Sequence, residues 1–123
     1  MKLHSDKFTG LNAITAYDTD YVQVNETQHK APLVVLPERL IMPWGVANFA
    51  SLDETHFALI AETGAEIVLL GTGAKQRFVH PRLTRALAEK RIGVECMDTQ
   101  AACRTYNILL GESRKVAAAL LFG

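Results

Sequence analysis

Gly71, Thr72 and Gly73 follow the apolar run Ile67-Val68-Leu69-Leu70. A glycine turn at the carboxyl end of a buried strand lets backbone N–H groups approach an anion, and open α/β sheets tend to bind ligands at that end. With Arg77 and His80 downstream and Asn107 in a later helical segment, these residues form a candidate cleft for an anion or small molecule. The two glycines overlap the start of the dinucleotide fingerprint, and Glu95 ends the next strand about where a ribose-binding acid would sit. Against that reading, Gln76 holds the place of the third glycine, and the strong helix signal arrives only at Pro81. A phosphate-binding P-loop is excluded, since no Gly-Lys-Ser or Gly-Lys-Thr occurs. The plain alternative is a tight turn. If the cleft binds a ligand, a bulky residue at Gly73 should abolish binding and spare the fold.

Other reactive types are dispersed. Cys96 and Cys103 lack Cys-x-x-Cys redox spacing and paired zinc-ligand spacing, and Cys103 falls on an apolar helical stripe as a small core residue. His4, His29, His56 and His80 show no metal-like spacing, and no nucleophile elbow or Ser/His/Asp grouping is present. Neither a metal nor a cofactor is expected. Asp53 and Glu54 suit the positive end of a helix better than a catalytic pair. In Arg104-Thr105-Tyr106-Asn107, Asn107 either satisfies buried backbone groups or, with Tyr106, lines the cleft beneath the glycine turn. Trp44, between Pro43 and Gly45, is divided between core packing and an exposed partner site, and Phe78 is a second candidate for partner binding.

The elements that would position these residues fall into two halves. From Ala13 to Leu52, β-formers are broken at Asn25-Glu26, Pro37-Glu38 and Pro43-Trp44-Gly45, which predicts a small antiparallel β unit. Ser51-Leu52-Asp53-Glu54 has capping-box spacing and predicts a helix from Ser51 that Gly64 ends. Glu66 to Leu70 reads as a central strand, and Pro81 opens a second helix running to Arg91. Val94 to Met97 is a short strand. Asp98 or Thr99 then caps a third helix with Ala102, Cys103, Tyr106 and Leu110 inward and Gly111 as a left-handed stop. The closing run Val116 to Phe122 has the alanine content of a helix but reads as a third covered strand. Strand, helix, strand, helix, strand is an α/β architecture with a largely parallel sheet.

A chain of 123 residues is most naturally a single domain, 1–123. Thirteen bases against thirteen acids give no global field to gather nucleic acid, so a charge-driven nucleic-acid binder is disfavoured. The basic residues Lys75, Arg77, Arg82, Arg85, Lys90 and Arg91 form a local cluster, for which a solvated face is the usual explanation. Two cysteines make no disulfide framework, Met1 to Lys7 lacks the apolar core of a signal peptide, and no apolar run approaches the ~20 residues of a membrane span. A cytoplasmic location is the expectation.

Trp44 ahead of a capped helix, Leu70-Gly71-Thr72-Gly73, Gly93-Val94-Glu95-Cys96-Met97-Asp98-Thr99, and Ala102-Cys103-Arg104-Thr105-Tyr106-Asn107-Ile108-Leu109 with Glu112 and Arg114 stand out as blocks. Together they resemble a family of small uncharacterised bacterial and archaeal proteins whose mitochondrial relative is complex I assembly factor 3. The resemblance implies a three-layer α/β fold with a central mixed sheet and a role exercised through protein contacts. It supplies no catalytic residues. The expectation is therefore an interaction protein with a protein partner, which assists assembly of a respiratory or other membrane-associated complex and has an exposed apolar patch. The competing expectation is a ligand-binding protein or enzyme at the glycine turn.

Overall fold

The computed structural model describes residues 10–123; His4 and the segment Met1 to Lys7 lie outside the described residues. Strands Ile14–Tyr17 (β1), Val22–Val24 (β2) and Thr27–His29 (β3) pair in order as an antiparallel sheet, which is the first part of the β unit predicted over Ala13 to Leu52. Leu33–Val35 (β4) and Leu40–Ile41 (β5) do not join it. They belong to the main sheet with Ile67–Thr72 (β6), Gly93–Met97 (β7) and Val116–Leu121 (β8), in the order β5-β4-β8-β6-β7. The β6–β7 and β6–β8 pairs are parallel and the β4–β8 and β4–β5 pairs antiparallel, so the sheet is mixed. Its centre is β8, with β6 beside it.

Two layers cover this sheet. Helices Glu54–Ala61 (α1) and Arg85–Glu89 (α2) lie on one face, where Phe57, Ile60 and Leu87 pack with Ala117, Ala119 and Leu121 of β8. Helix Thr99–Gly111 (α3) and the small sheet lie on the other, where Ala102, Cys103, Tyr106, Ile14 and Val22 pack with Val116, Ala118 and Leu120. Alternate side chains of one strand thus feed two cores, the period-2 geometry of a pleated strand. Every residue of β8 is buried. Its three alanines let both layers approach closely, and burial overrides the helix preference of alanine.

Three local expectations are corrected. Ser51 does not cap α1: it closes a 3-10 turn, Phe49–Ser51, capped by Asn48, and α1 begins after Asp53, whose carboxylate accepts from the N–H groups of Thr55 and His56. His56 Nδ1 in return accepts from the Asp53 N–H at 3.0 Å, with His56 Nε2 3.2 Å from the Gly45 carbonyl. That pattern needs a neutral Nδ1 and a proton on Nε2, so His56 and Asp53 form a reciprocal cap rather than an ion pair. The second helix is also shorter than predicted, a 3-10 turn Pro81–Thr84 followed by α2.

Gly111 is not the left-handed stop, because it is the last residue of α3. The left-handed residue is Ser113, at φ 62°. Its N–H donates to the Leu110 carbonyl and that of Arg114 to the Leu109 carbonyl, both at 3.0 Å, which is the Schellman pair of bonds. Arg91, at φ 59°, closes α2 in the same way, with Arg91 bonded to Ala88 and Ile92 to Leu87. A side chain in this conformation is disfavoured by roughly 1 kcal/mol. Ser113→Gly is therefore expected to stabilise the fold by about 0.5–1 kcal/mol, measured as a higher urea midpoint at unchanged slope.

Candidate functional site

At the carboxyl end of β6 the chain must turn beside the start of α3 and the end of β8. Thr99 joins all three. Its hydroxyl accepts from the Gly73 N–H at 2.8 Å and donates to the Leu121 carbonyl, and its own N–H donates to the Gly73 carbonyl at 2.9 Å. Gly71 and Gly73 are needed here for different reasons. A Cβ at Gly71 would lie 3.0 Å from both Cα and Oγ1 of Thr99 and 3.1 Å from Leu120 Cδ2, so the absent side chain lets α3 sit on β6. Gly73 has φ +95°, and a Cβ there would meet the Gly123 carbonyl oxygen at 2.8 Å. The idea that a bulky residue at Gly73 spares the fold is thus corrected: it forces a strained backbone against the end of the chain.

Thr72 is equally engaged. Its hydroxyl lies 2.7 Å from the Lys75 carbonyl and 3.2 Å from that of Met97, and accepts from the Arg77 N–H at 3.1 Å. Gln76, in the place of the fingerprint's third glycine, donates to the Cys96 carbonyl at 2.8 Å and ties the loop to the outer strand β7. The turn has the shape of a phosphate loop without its free donors. The amino end of α3 already carries an anion of its own, since the Asp98 carboxylate accepts from the Ala101 N–H at 2.9 Å. A cleft of about 240 Å³ does open beside Gly73, lined by Asp18 and Asp98 among others. Two carboxylates oppose a phosphate there.

The remaining members of the candidate ligand set do not converge on this cleft. Arg77 stacks its guanidinium over the Phe49 ring at 5.3 Å. His80 caps the turn at Pro81, its Nδ1 accepting from the Arg82 N–H at 3.1 Å. Asn107 lies two turns along α3, where Oδ1 accepts from the Ile14 N–H at 3.0 Å and Nδ2 donates to the Ile14 carbonyl at 2.6 Å. It clasps β1 as a neighbouring strand would. The Tyr106 hydroxyl assists by donating to the Asn12 carbonyl at 2.7 Å, and burial raises its pKa. Burial likewise pushes the Cys103 thiol up to about 12, leaving it protonated and inert. Glu95 is exposed on β7.

Of the two partner candidates, Trp44 is a core residue, 2% exposed. Its Nε1 donates to the His56 carbonyl at 3.1 Å and its ring meets Phe57 edge-on at 6.0 Å, so it cannot present an outer surface. Phe78 is 78% exposed. Of the other exposed large apolar side chains, Leu59 sits on α1, Ile108 on α3 and Met42 directly after β5. Sequence reasoning missed Thr99 as a junction and saw only a helix start; a hydroxyl residue two positions beyond the strand that follows the glycine turn was the available signal.

A family model described as a protein of unknown function (DUF498/DUF598) matches residues 14–121. The chain belongs to this family. It is 38% identical over 92 residues to NADH dehydrogenase (ubiquinone) 1 alpha subcomplex assembly factor 3 of Mus musculus, covering 73% of this chain and 49% of that one. The Bos taurus counterpart is 34% identical over 110 residues, covering 88% and 59%. The match thus extends over half to three-fifths of these curated relatives. A relative in Francisella tularensis called the 13 kDa major membrane protein is 33% identical over 76 residues, covering 62% of each chain. Among solved structures, a Bordetella parapertussis protein superposes with a TM-score of 0.86 at 38% identity, covering 93% of this chain and 98% of that one. A Bordetella pertussis protein described as an Mth938-like domain gives 0.80 at 36% identity, covering 98% and 92%. The three-layer α/β reading and the family resemblance both hold.

Two substitutions separate the junction from the clasp. Thr99→Val leaves a buried N–H and a buried carbonyl without partners and is expected to destabilise the whole fold by about 2–4 kcal/mol in urea unfolding. Asn107→Ala should cost about 1–3 kcal/mol and speed hydrogen exchange in β1 to β3 ahead of the main sheet.

Proposed function

We propose that this chain is a non-enzymatic interaction protein of the cytoplasm that assists assembly of a respiratory or other membrane-associated complex by binding a protein partner. The observation that carries this reading is its kinship with complex I assembly factor 3, at up to 38% identity in the matches above. The name of the Francisella relative adds support for work at a membrane-associated complex. Among the described residues no helix is long and apolar enough to cross a membrane, so such work would be done from the surface. The polar chemistry of the interior fits the same reading. Thr72, Thr99, Tyr106 and Asn107 each bond the chain's own backbone, which leaves recognition to outward side chains.

The alternative, an anion or small-molecule site at Gly71 to Gly73, has less support. The Gly73 N–H is bonded to Thr99, and the adjoining cleft presents the carboxylates of Asp18 and Asp98.

Deleting the gene in its host and resolving membrane complexes by native electrophoresis tests the proposal. Assembled NADH:ubiquinone oxidoreductase should fall severalfold, with recovery on re-expression. Undiminished levels of this and other respiratory complexes in the deletion strain reject it.

A further inference from the structure

We infer that the exposed loop 74–78 is a docking site for an anionic lipid surface, with Phe78 entering the headgroup region and Lys75 and Arg77 facing lipid phosphates. This goes beyond the assembly reading and can fail separately from it.

Charge is the first observation. Residues 67–88 contain Lys75, Arg77, Arg82 and Arg85 and no acid, so the rest of the chain sets nine bases against thirteen acids. A neutral molecule is thereby polarised, and only a local field can attract an anionic surface. Arg82 and Arg85 line a groove between α1 and α2 that also holds Glu54 and Glu89, which offset them. Lys75 and Arg77 make no close ion pair: among the described residues the close acid–base pairs are Lys90 with Glu62 and His56 with Asp53, and the carboxylates of Asp18 and Asp98 line the cleft at Ala74, where the loop begins.

Shape is the second observation. Residues 74–78 are all exposed, and Phe78 at 78% is the most exposed large apolar side chain among those described. The loop is held in this posture. Thr72 bonds the backbone of Lys75 and Arg77, Gln76 bonds β7, and Arg77 rests on Phe49. A protein partner usually buries about 800 Å² per side around a desolvated centre, and an exposed five-residue loop with one aromatic side chain offers little of that. A fluid headgroup layer adapts to a small exposed tip, and an aromatic ring next to cations suits its apolar and charged strata. One loop gives weak binding that salt should reverse.

The test is co-sedimentation of the full chain with phosphatidylcholine vesicles made with or without phosphatidylglycerol, at low and high salt. Binding is expected only with phosphatidylglycerol and should fall at high salt. K75E/R77E should weaken it at least tenfold, at about fivefold per charge removed, and F78S severalfold. R114E/K115E changes net charge equally at the opposite end of β8 and should bind like the parent chain. Circular dichroism and thermal melts confirm that each variant is folded; Lys75, Arg77 and Phe78 are exposed, so their replacement should leave the melts nearly unchanged, with only the stack of Arg77 on Phe49 lost in K75E/R77E. Absence of binding to either vesicle overturns the inference, as does equal loss in R114E/K115E. Loop-dependent binding to soluble poly-L-glutamate without vesicle binding would assign the loop to an acidic protein instead, and overturns it too.

Discussion

The structure depends on β8 being covered on both faces. Six consecutive buried residues at the centre of the main sheet need two separate apolar layers, and no single helix pair can supply both. Helices α1 and α2 close one side, and α3 with the small sheet closes the other. The alanines at 117, 118 and 119 set how near those layers come. β8 takes an antiparallel neighbour, β4, on one side and a parallel one, β6, on the other, because its backbone N–H and C=O groups are satisfied by either ladder.

From that constraint follows the work given to polar side chains. A buried parallel sheet ends in carbonyl and N–H groups that water cannot reach, and each must find a partner inside the protein. Thr99 serves the ends of β6 and β8 together, Thr72 holds the loop beyond β6, and Gln76 covers a carbonyl on β7. On the far layer, Asn107 and Tyr106 bond the backbone of Asn12 and Ile14, so the small sheet is fastened to α3 by hydrogen bonds as well as by its apolar face. A glycine turn in this setting is a packing device. It resembles a phosphate loop because both need backbone to come close to something: a phosphate in one case, Thr99 and Gly123 in this one.

The sequence made the alternation of elements legible because hydrophobic period, turn residues and breaks are local properties. The apolar run at the end of the chain was readable as a strand from its context even though its alanines favour helix. Cap identity was harder. Asn48, Ser51 and Asp53 are all plausible caps within six residues, and which one starts the longer helix depends on where the chain leaves the preceding 3-10 turn. The stop at Ser113 was invisible for the opposite reason, since a glycine two residues earlier was the better local candidate. The candidate site failed at longer range. Arg77, His80 and Asn107 are near the glycine turn in sequence or on its succeeding helix, but two turns of α3 and the outward course of the loop carry them apart. Trp44 and Phe78, equal candidates by residue type, were separated by burial alone.

Relatives of this chain include proteins called assembly factors. A catalytic site needs polar groups that are positioned by the fold yet left unpaired toward a substrate. Here the best-positioned polar groups point at the chain's own backbone, and their removal would unsettle the fold before it altered any chemistry. What remains adjustable without that penalty is the outer surface: the loop beyond Thr72, the outward side of α3 with Ile108, and the edge strand β7. Substitution on such a surface changes what the molecule meets and leaves the three layers intact. A scaffold of this kind can keep one fold while its exposed residues change, and the Bordetella parapertussis protein keeps this fold at a TM-score of 0.86 and 38% identity.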